Sequence, residues 1–131
     1  MPQKLGIKPG MNLAVIDAPP NYRKLLGPAA KTVSFSDSAG SGSEFVHLFV
    51  IKRATLEKAI RQLRKKVADT ATIWVSWPKK SAGVPTDVTE DVIRDVALPL
   101  GFVDVKVCAV DETWSGLKLM VRRELRKPGS K

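Results

Sequence analysis

Ser76-Trp77-Pro78-Lys79-Lys80 places an indole beside two ammonium groups. That combination suits a nucleotide or another aromatic anion, because the ring offers a stacking face and the lysines offer charge-assisted donors. A second set follows the apolar run Leu13 to Asp17, in the turn Asp17-Ala18-Pro19-Pro20-Asn21. A turn between a first strand and its helix is where nucleotide-binding domains cradle phosphates. Asp37 follows Asp17 by 20 residues, near the spacing of an acid that binds a ribose hydroxyl. The candidate ligand-binding residues are therefore Asp17, Pro19, Asn21, Asp37, Ser76, Trp77 and Lys79. The turn lacks the glycines that let a backbone approach a cofactor, and proline supplies neither the N–H nor the positive φ.

Asp111, Glu112, Trp114 and Ser115 form another dense polar cluster. Adjacent carboxylates seldom converge on one substrate, and Asp, Glu and Gly at a hairpin tip are ordinary turn chemistry. The cluster is read as a turn that presents a partner surface. His47 is the only histidine, inside an otherwise apolar stretch, which suits a core position better than a general base. Cys108, flanked by Val105, Val107 and Val110, reads as an inert thiol, and no metal-ligand spacing occurs in the chain.

These residues must be positioned by alternating strands and helices. Phe45 to Ile51 and Ala71 to Trp77 read as buried strands, rich in β-branched and aromatic residues. Thr32 to Phe35 is a further strand, and Ser36 to Glu44, rich in Ser and Gly, a flexible loop. Between the buried strands, Leu56, Ala59, Ile60, Leu63 and Val67 recur at helical spacing and predict a helix from Thr55 to Val67. Asp87 and Glu90 have capping-box spacing and predict a helix running through Val92, Ile93, Val96 and Ala97. Phe102 to Val110 and Leu117 to Arg123 read as strands whose short connection demands antiparallel pairing. Alternation along Trp74 to Trp77 sends the two tryptophans to opposite faces. The expected architecture is a three-layer α/β fold, with a mostly parallel sheet of about six strands closed by a C-terminal antiparallel hairpin.

The 131 residues are read as one domain with a basic tail from about residue 124, and 44% of them are hydrophobic. No apolar run reaches the roughly 18 residues of a membrane span. Met1 to Lys8 lacks a signal-peptide core, and the single cysteine suits a reducing compartment, so the expectation is a cytoplasmic protein. The net charge of +9 favours anionic partners. It concentrates at Lys58, Arg61, Arg64, Lys65 and Lys66 on one helix and at Arg122, Arg123, Arg126, Lys127 and Lys131.

The order of elements resembles a shortened class I S-adenosylmethionine-dependent methyltransferase, a Rossmann-like fold. Leu5-Gly6-Ile7-Lys8-Pro9-Gly10-Met11 resembles that family's lead-in, and Leu63 to Trp77 resembles its late helix-strand unit, while one strand-helix unit is missing around Ser36 to Glu44. The family's glycine positions fall on Asp17, Pro19 and Asn21, and Val15 stands where an acidic residue precedes the turn. These departures argue against S-adenosylmethionine as the cofactor. Ile73-Trp74-Val75-Ser76-Trp77-Pro78-Lys79 and Trp114-Ser115-Gly116 are also similar to segments of small bacterial proteins of unknown function.

Three functions are compatible with this reading. The first is a non-catalytic module that binds a small anionic or nucleoside ligand or a protein partner. The second is a small nucleotide- or S-adenosylmethionine-dependent transferase. The third is a nucleic-acid-binding protein that uses the basic helix and tail, although no tryptophan is interleaved with that helix as a stacking platform requires. The second strand or the hairpin offers an exposed edge on which copies of the chain can pair.

Overall fold

The strand Phe45–Phe49 is buried at every position because it lies inside the sheet with helices and aromatic residues on its two faces. The computed structural model describes residues 7, 10–17, 22, 24, 27, 31, 33–36, 45–67, 71–110 and 112–122. Among them, six strands form one sheet: β1 (Asn12–Ile16), β2 (Ser34–Ser36), β3 (Phe45–Phe49), β4 (Thr72–Pro78), β5 (Phe102–Ala109) and β6 (Trp114–Val121). Their spatial order is β2-β1-β3-β4-β6-β5. The first four run parallel, β6 runs antiparallel to β4, and β5 closes the edge antiparallel to β6. This is the expected α/β Rossmann-like arrangement with its C-terminal hairpin.

Two helices, α1 (Arg53–Lys66) and α2 (Glu90–Ala97), cover one face. Leu56, Ile60 and Leu63 of α1 and Ile93, Val96 and Ala97 of α2 pack on Val46, Leu48, Ile73, Val75 and Leu117 of the sheet. The opposite face carries Leu13, Phe45, Phe49 and Trp74, packed with Tyr22 and Val110. Trp74 and Trp77 lie in these two different layers, as strand alternation requires.

Helix α1 begins two residues earlier than its apolar period suggests. Lys52 at its N-cap makes no side-chain cap bond; the Asp87 carboxylate instead accepts from the Arg53 N–H at 2.7 Å. Its last turn carries Arg64, Lys65 and Lys66, which complement the negative end of the helix dipole. The capping box expected at Asp87 and Glu90 is corrected here. Helix α2 is capped by Thr89, whose hydroxyl accepts from the Val92 N–H at 3.2 Å, because Asp87 is committed to α1.

A short 3-10 turn, Leu98–Leu100, ends α2 and leads into β5 through Gly101. Arg94 donates to Asp104 at 2.9 Å and pairs with Glu90 at 2.6 Å, tying α2 to the edge strand. A register shift between Asp104 and Lys106 interrupts that strand, a device that discourages edge pairing. Three further expectations are corrected. The second strand is Ser34–Ser36, so Ser36 belongs to it rather than to the following loop. The third strand stops at Phe49, two residues before Ile51. The last strand begins at Trp114, pairing with Pro78, so Trp114 and Ser115 are strand residues rather than turn residues. No helix among the described residues is long and apolar enough to cross a membrane.

Candidate functional site

The chain leaves β1 to form β2 on one side and returns to form β3 on the other, so the strand order reverses between β1 and β3. In open parallel sheets ligands bind beyond the carboxyl ends of the strands at such a point. A cavity of about 330 Å³ lies there, lined by Asp17 after β1, by Phe49 at the end of β3 and Val50, Ile51, Lys52 and Thr55 beyond it, and by Trp114. Asp17 holds a φ of +56°, a conformation that favours glycine, and it is the only non-glycine to do so among the described residues. The position therefore combines a glycine-like backbone conformation with a carboxylate.

The aromatic lining is braced from beneath. Phe49 meets Trp114 edge to face at 5.0 Å, and His47 stacks on Phe49 at 4.3 Å. Below these rings runs a buried polar chain. Tyr22 Oη lies 2.9 Å from His47 Nδ1, and His47 Nε2 lies 2.6 Å from Ser76 Oγ. Burial lowers the His47 pKa to about 3 and pushes the Tyr22 phenol up, so both groups are neutral near pH 7. A neutral imidazole donates from one nitrogen and accepts at the other, and a hydroxyl can fill either role opposite it. Ser76 and His47 thus have the contact of a nucleophile and its base, but both are fully buried and neither lines the cavity. Their chemistry here is to satisfy each other across β3 and β4.

A second cavity, about 570 Å³, opens after β4 on the α2 side and is lined by residues that include Trp77, Lys79, Lys80, Thr86 and Glu90. Hydrogen bonds join the loops around both cavities. The Lys79 N–H donates to the Thr113 carbonyl at 2.8 Å, and the Thr86 hydroxyl donates to the Ile51 carbonyl at 2.6 Å.

The candidate residues are thus divided rather than gathered. Asp17 lines the first cavity, Trp77 and Lys79 the second, and Ser76 lies in the interior. Trp114, read as part of a partner surface, turns to the first cavity; Glu112 is exposed and Ser115 half-buried. Pro19, Asn21, Asp37 and Asp111 lie outside the described residues, as does the basic tail beyond Arg122. Two of the basic residues have structural partners: Arg64 donates to the Leu100 carbonyl and Arg122 to the Leu98 carbonyl. Phe49, Lys52 and Thr55 were not singled out in the sequence. Their signal is their place at and just beyond the end of the third strand, which gains meaning only once β3 is known to neighbour β1. Among the described residues no group of three His, Cys, Asp or Glu could hold a metal ion, and Cys108 is a half-buried free thiol.

No family model matches the chain, and neither does any curated protein. Solved structures do. A protein from Sulfolobus solfataricus described as a type 11 methyltransferase superimposes with a TM-score of 0.62 at 12% identity, covering 100% of this chain and 95% of that one. The chain has a methyltransferase-like Rossmann fold. A SAM-dependent methyltransferase from Aquifex aeolicus gives a TM-score of 0.61 at 15% identity, over 91% of this chain and 86% of its own. A tRNA methyltransferase from B. subtilis gives 0.58 at 12% identity, over 91% of this chain but only 64% of that enzyme. At such identities the likeness speaks for the fold alone.

Proposed function

We propose that this protein is a ligand-binding module of the methyltransferase-like fold whose ligand carries a nucleoside, held in the cavity between the ends of β1 and β3. The observation that carries this reading is the lining of that cavity at the reversal of strand order: Asp17, Lys52 and Thr55 beside the rings of Phe49 and Trp114. A base packs against the rings, the Asp17 carboxylate accepts from ribose hydroxyls, and the Lys52 ammonium meets an anionic group.

S-adenosylmethionine fits this lining only in part. Its nucleoside suits the rings and its sulfonium suits an aromatic face and a carboxylate. Its amino-acid end needs N–H donors, and the sequence Ala18-Pro19-Pro20-Asn21 removes two of them. Binding without methyl transfer is therefore the first reading. The transferase is the second, favoured by a likeness to structures described as methyltransferases that spans nearly the whole chain.

Calorimetry and thermal unfolding with adenosine, ATP and S-adenosylmethionine, at low and high salt, test both. Saturable binding that survives high salt and is lost in Trp114→Ala supports the nucleoside site. Binding unchanged in Trp114→Ala, or none with any of the three, overturns it. Release of S-adenosylhomocysteine in the presence of an acceptor would establish the second reading.

A further inference from the structure

The cavity after β4 has a chemistry of its own. Trp77 is 8% exposed and Val88 only 1%, so they form a dry floor, while Pro78, Val84 and Pro85 add apolar wall. Lys79 and Lys80 stand at the more exposed rim, and neither is ion-paired with an acidic side chain among the described residues. The rim's carboxylate, Glu90, is held at 2.6 Å by Arg94, which offsets its charge. Thr89 also lines the cavity, and its oxygen accepts from the Val92 N–H, which leaves the hydroxyl proton available.

The loop that carries the lysines is shaped rather than slack. Lys80–Ala82 forms a 3-10 turn closed by Gly83 at a φ of +71°, and the Lys79 N–H is tied to the Thr113 carbonyl. The volume of about 570 Å³ lies within the ~300–1,000 Å³ typical of small-molecule sites.

We propose that this cavity is a binding site for an aromatic carboxylic acid. The ring packs against Trp77 between Pro78 and Pro85, and the carboxylate meets the Lys79 and Lys80 ammonium groups with the Thr89 hydroxyl as a further donor. The site is separate from the nucleoside cavity and stands whether or not that cavity takes a nucleoside.

The test uses 2-naphthoate with the full chain carrying 5-fluorotryptophan. Fluorine spectra of the three tryptophans, assigned by single Trp→Phe variants, report where the probe sits, and calorimetry reports its affinity. The expected result is a saturable shift of the Trp77 signal with the Trp114 signal unmoved. The double variant Lys79→Met with Lys80→Met should weaken binding by about tenfold or more while unfolding at the same temperature as the parent. The variant Lys58→Met, on the exposed side of α1, should bind as the parent does, and uncharged 2-naphthamide should bind about as weakly to the parent as 2-naphthoate binds to the double variant. Absence of a Trp77 shift, a shift of Trp114 instead, or undiminished binding by the double variant would each overturn the assignment.

Discussion

His47 Nε2 lies 2.6 Å from Ser76 Oγ, across neighbouring parallel strands and 29 residues apart in sequence. The contact follows from register. His47 stands beside Trp74 and Phe49 beside Ser76, so the histidine reaches diagonally to the hydroxyl on the same face of the sheet. Tyr22 completes the chain from the covering layer. A lone imidazole in this core would leave buried nitrogens unpaired, at a cost of roughly 1–3 kcal/mol each, and the two hydroxyls remove that penalty.

Stability should therefore depend on pH through His47. The folded ring titrates near 3 and the unfolded one near 6.5, so between these values the unfolded chain holds a proton that the folded chain does not. Stability from this group is fully present above the unfolded value and falls as the pH drops through the window, by up to ~1.4 kcal/mol per pH unit. In urea unfolding across that window, His47→Gln should lose stability at neutral pH yet decline less steeply on acidification than the parent. Parallel slopes for the two proteins would show that His47 titrates normally in the folded state.

What the sequence showed and what it hid separate along the same line. The apolar period of Leu56, Ile60 and Leu63 and the alternation of Trp74 and Trp77 are local signals, and both survive folding. Contacts that depend on strand order are not local. The spacing of Asp87 and Glu90 imitates a capping box, but the carboxylate is drawn away by the Arg53 N–H, 34 residues earlier. Trp114 reads as a turn residue until its pairing with Pro78 makes it the first residue of a strand and aims it at the switch-point cavity. Of the candidate segments, the one at Asp17 and the one at Trp77 and Lys79 line cavities, and Asp37 lies outside the described residues; that the two line separate cavities depends on strand order and on loop contacts far apart in sequence.

Gly116 lies under the Trp74 ring, and a Cβ there would stand 3.1 Å from Trp74 Cε3 and 3.1 Å from Val110 Cγ2. Trp74 is fully buried. Gly116→Ala should destabilise the protein by about 1–3 kcal/mol through overpacking, measured as a lower urea midpoint with an unchanged slope. Gly116→Ala combined with Val110→Ala should recover part of the loss if the crowding is shared by both neighbours. No recovery would place the strain on the indole alone.

Asp87 accepts from the first N–H of α1, while its own backbone N–H donates to the Ile51 carbonyl at 3.4 Å. It therefore holds the loop before α1 against the loop before α2. Asp87→Ala should cost about 0.5–2 kcal/mol, the range for losing a helix cap, and Asp87→Asn should recover most of it because an amide oxygen still accepts. Hydrogen exchange should quicken first at the amides of residues 53–56. Uniform loss of protection along the chain would argue that the contact has no local role.

Asp17 joins a backbone requirement to a functional group, and two substitutions separate them. Its φ of +56° is easy for glycine and strained for alanine by roughly 1–2 kcal/mol. Urea unfolding should find Asp17→Gly at least as stable as the parent and Asp17→Ala less stable. Both variants lack the carboxylate, so adenosine binding measured by calorimetry should weaken in both if that carboxylate holds the ribose. Should Asp17→Gly bind as well as the parent while Asp17→Ala binds poorly, the position serves by its backbone shape, and the carboxylate takes no part in recognition.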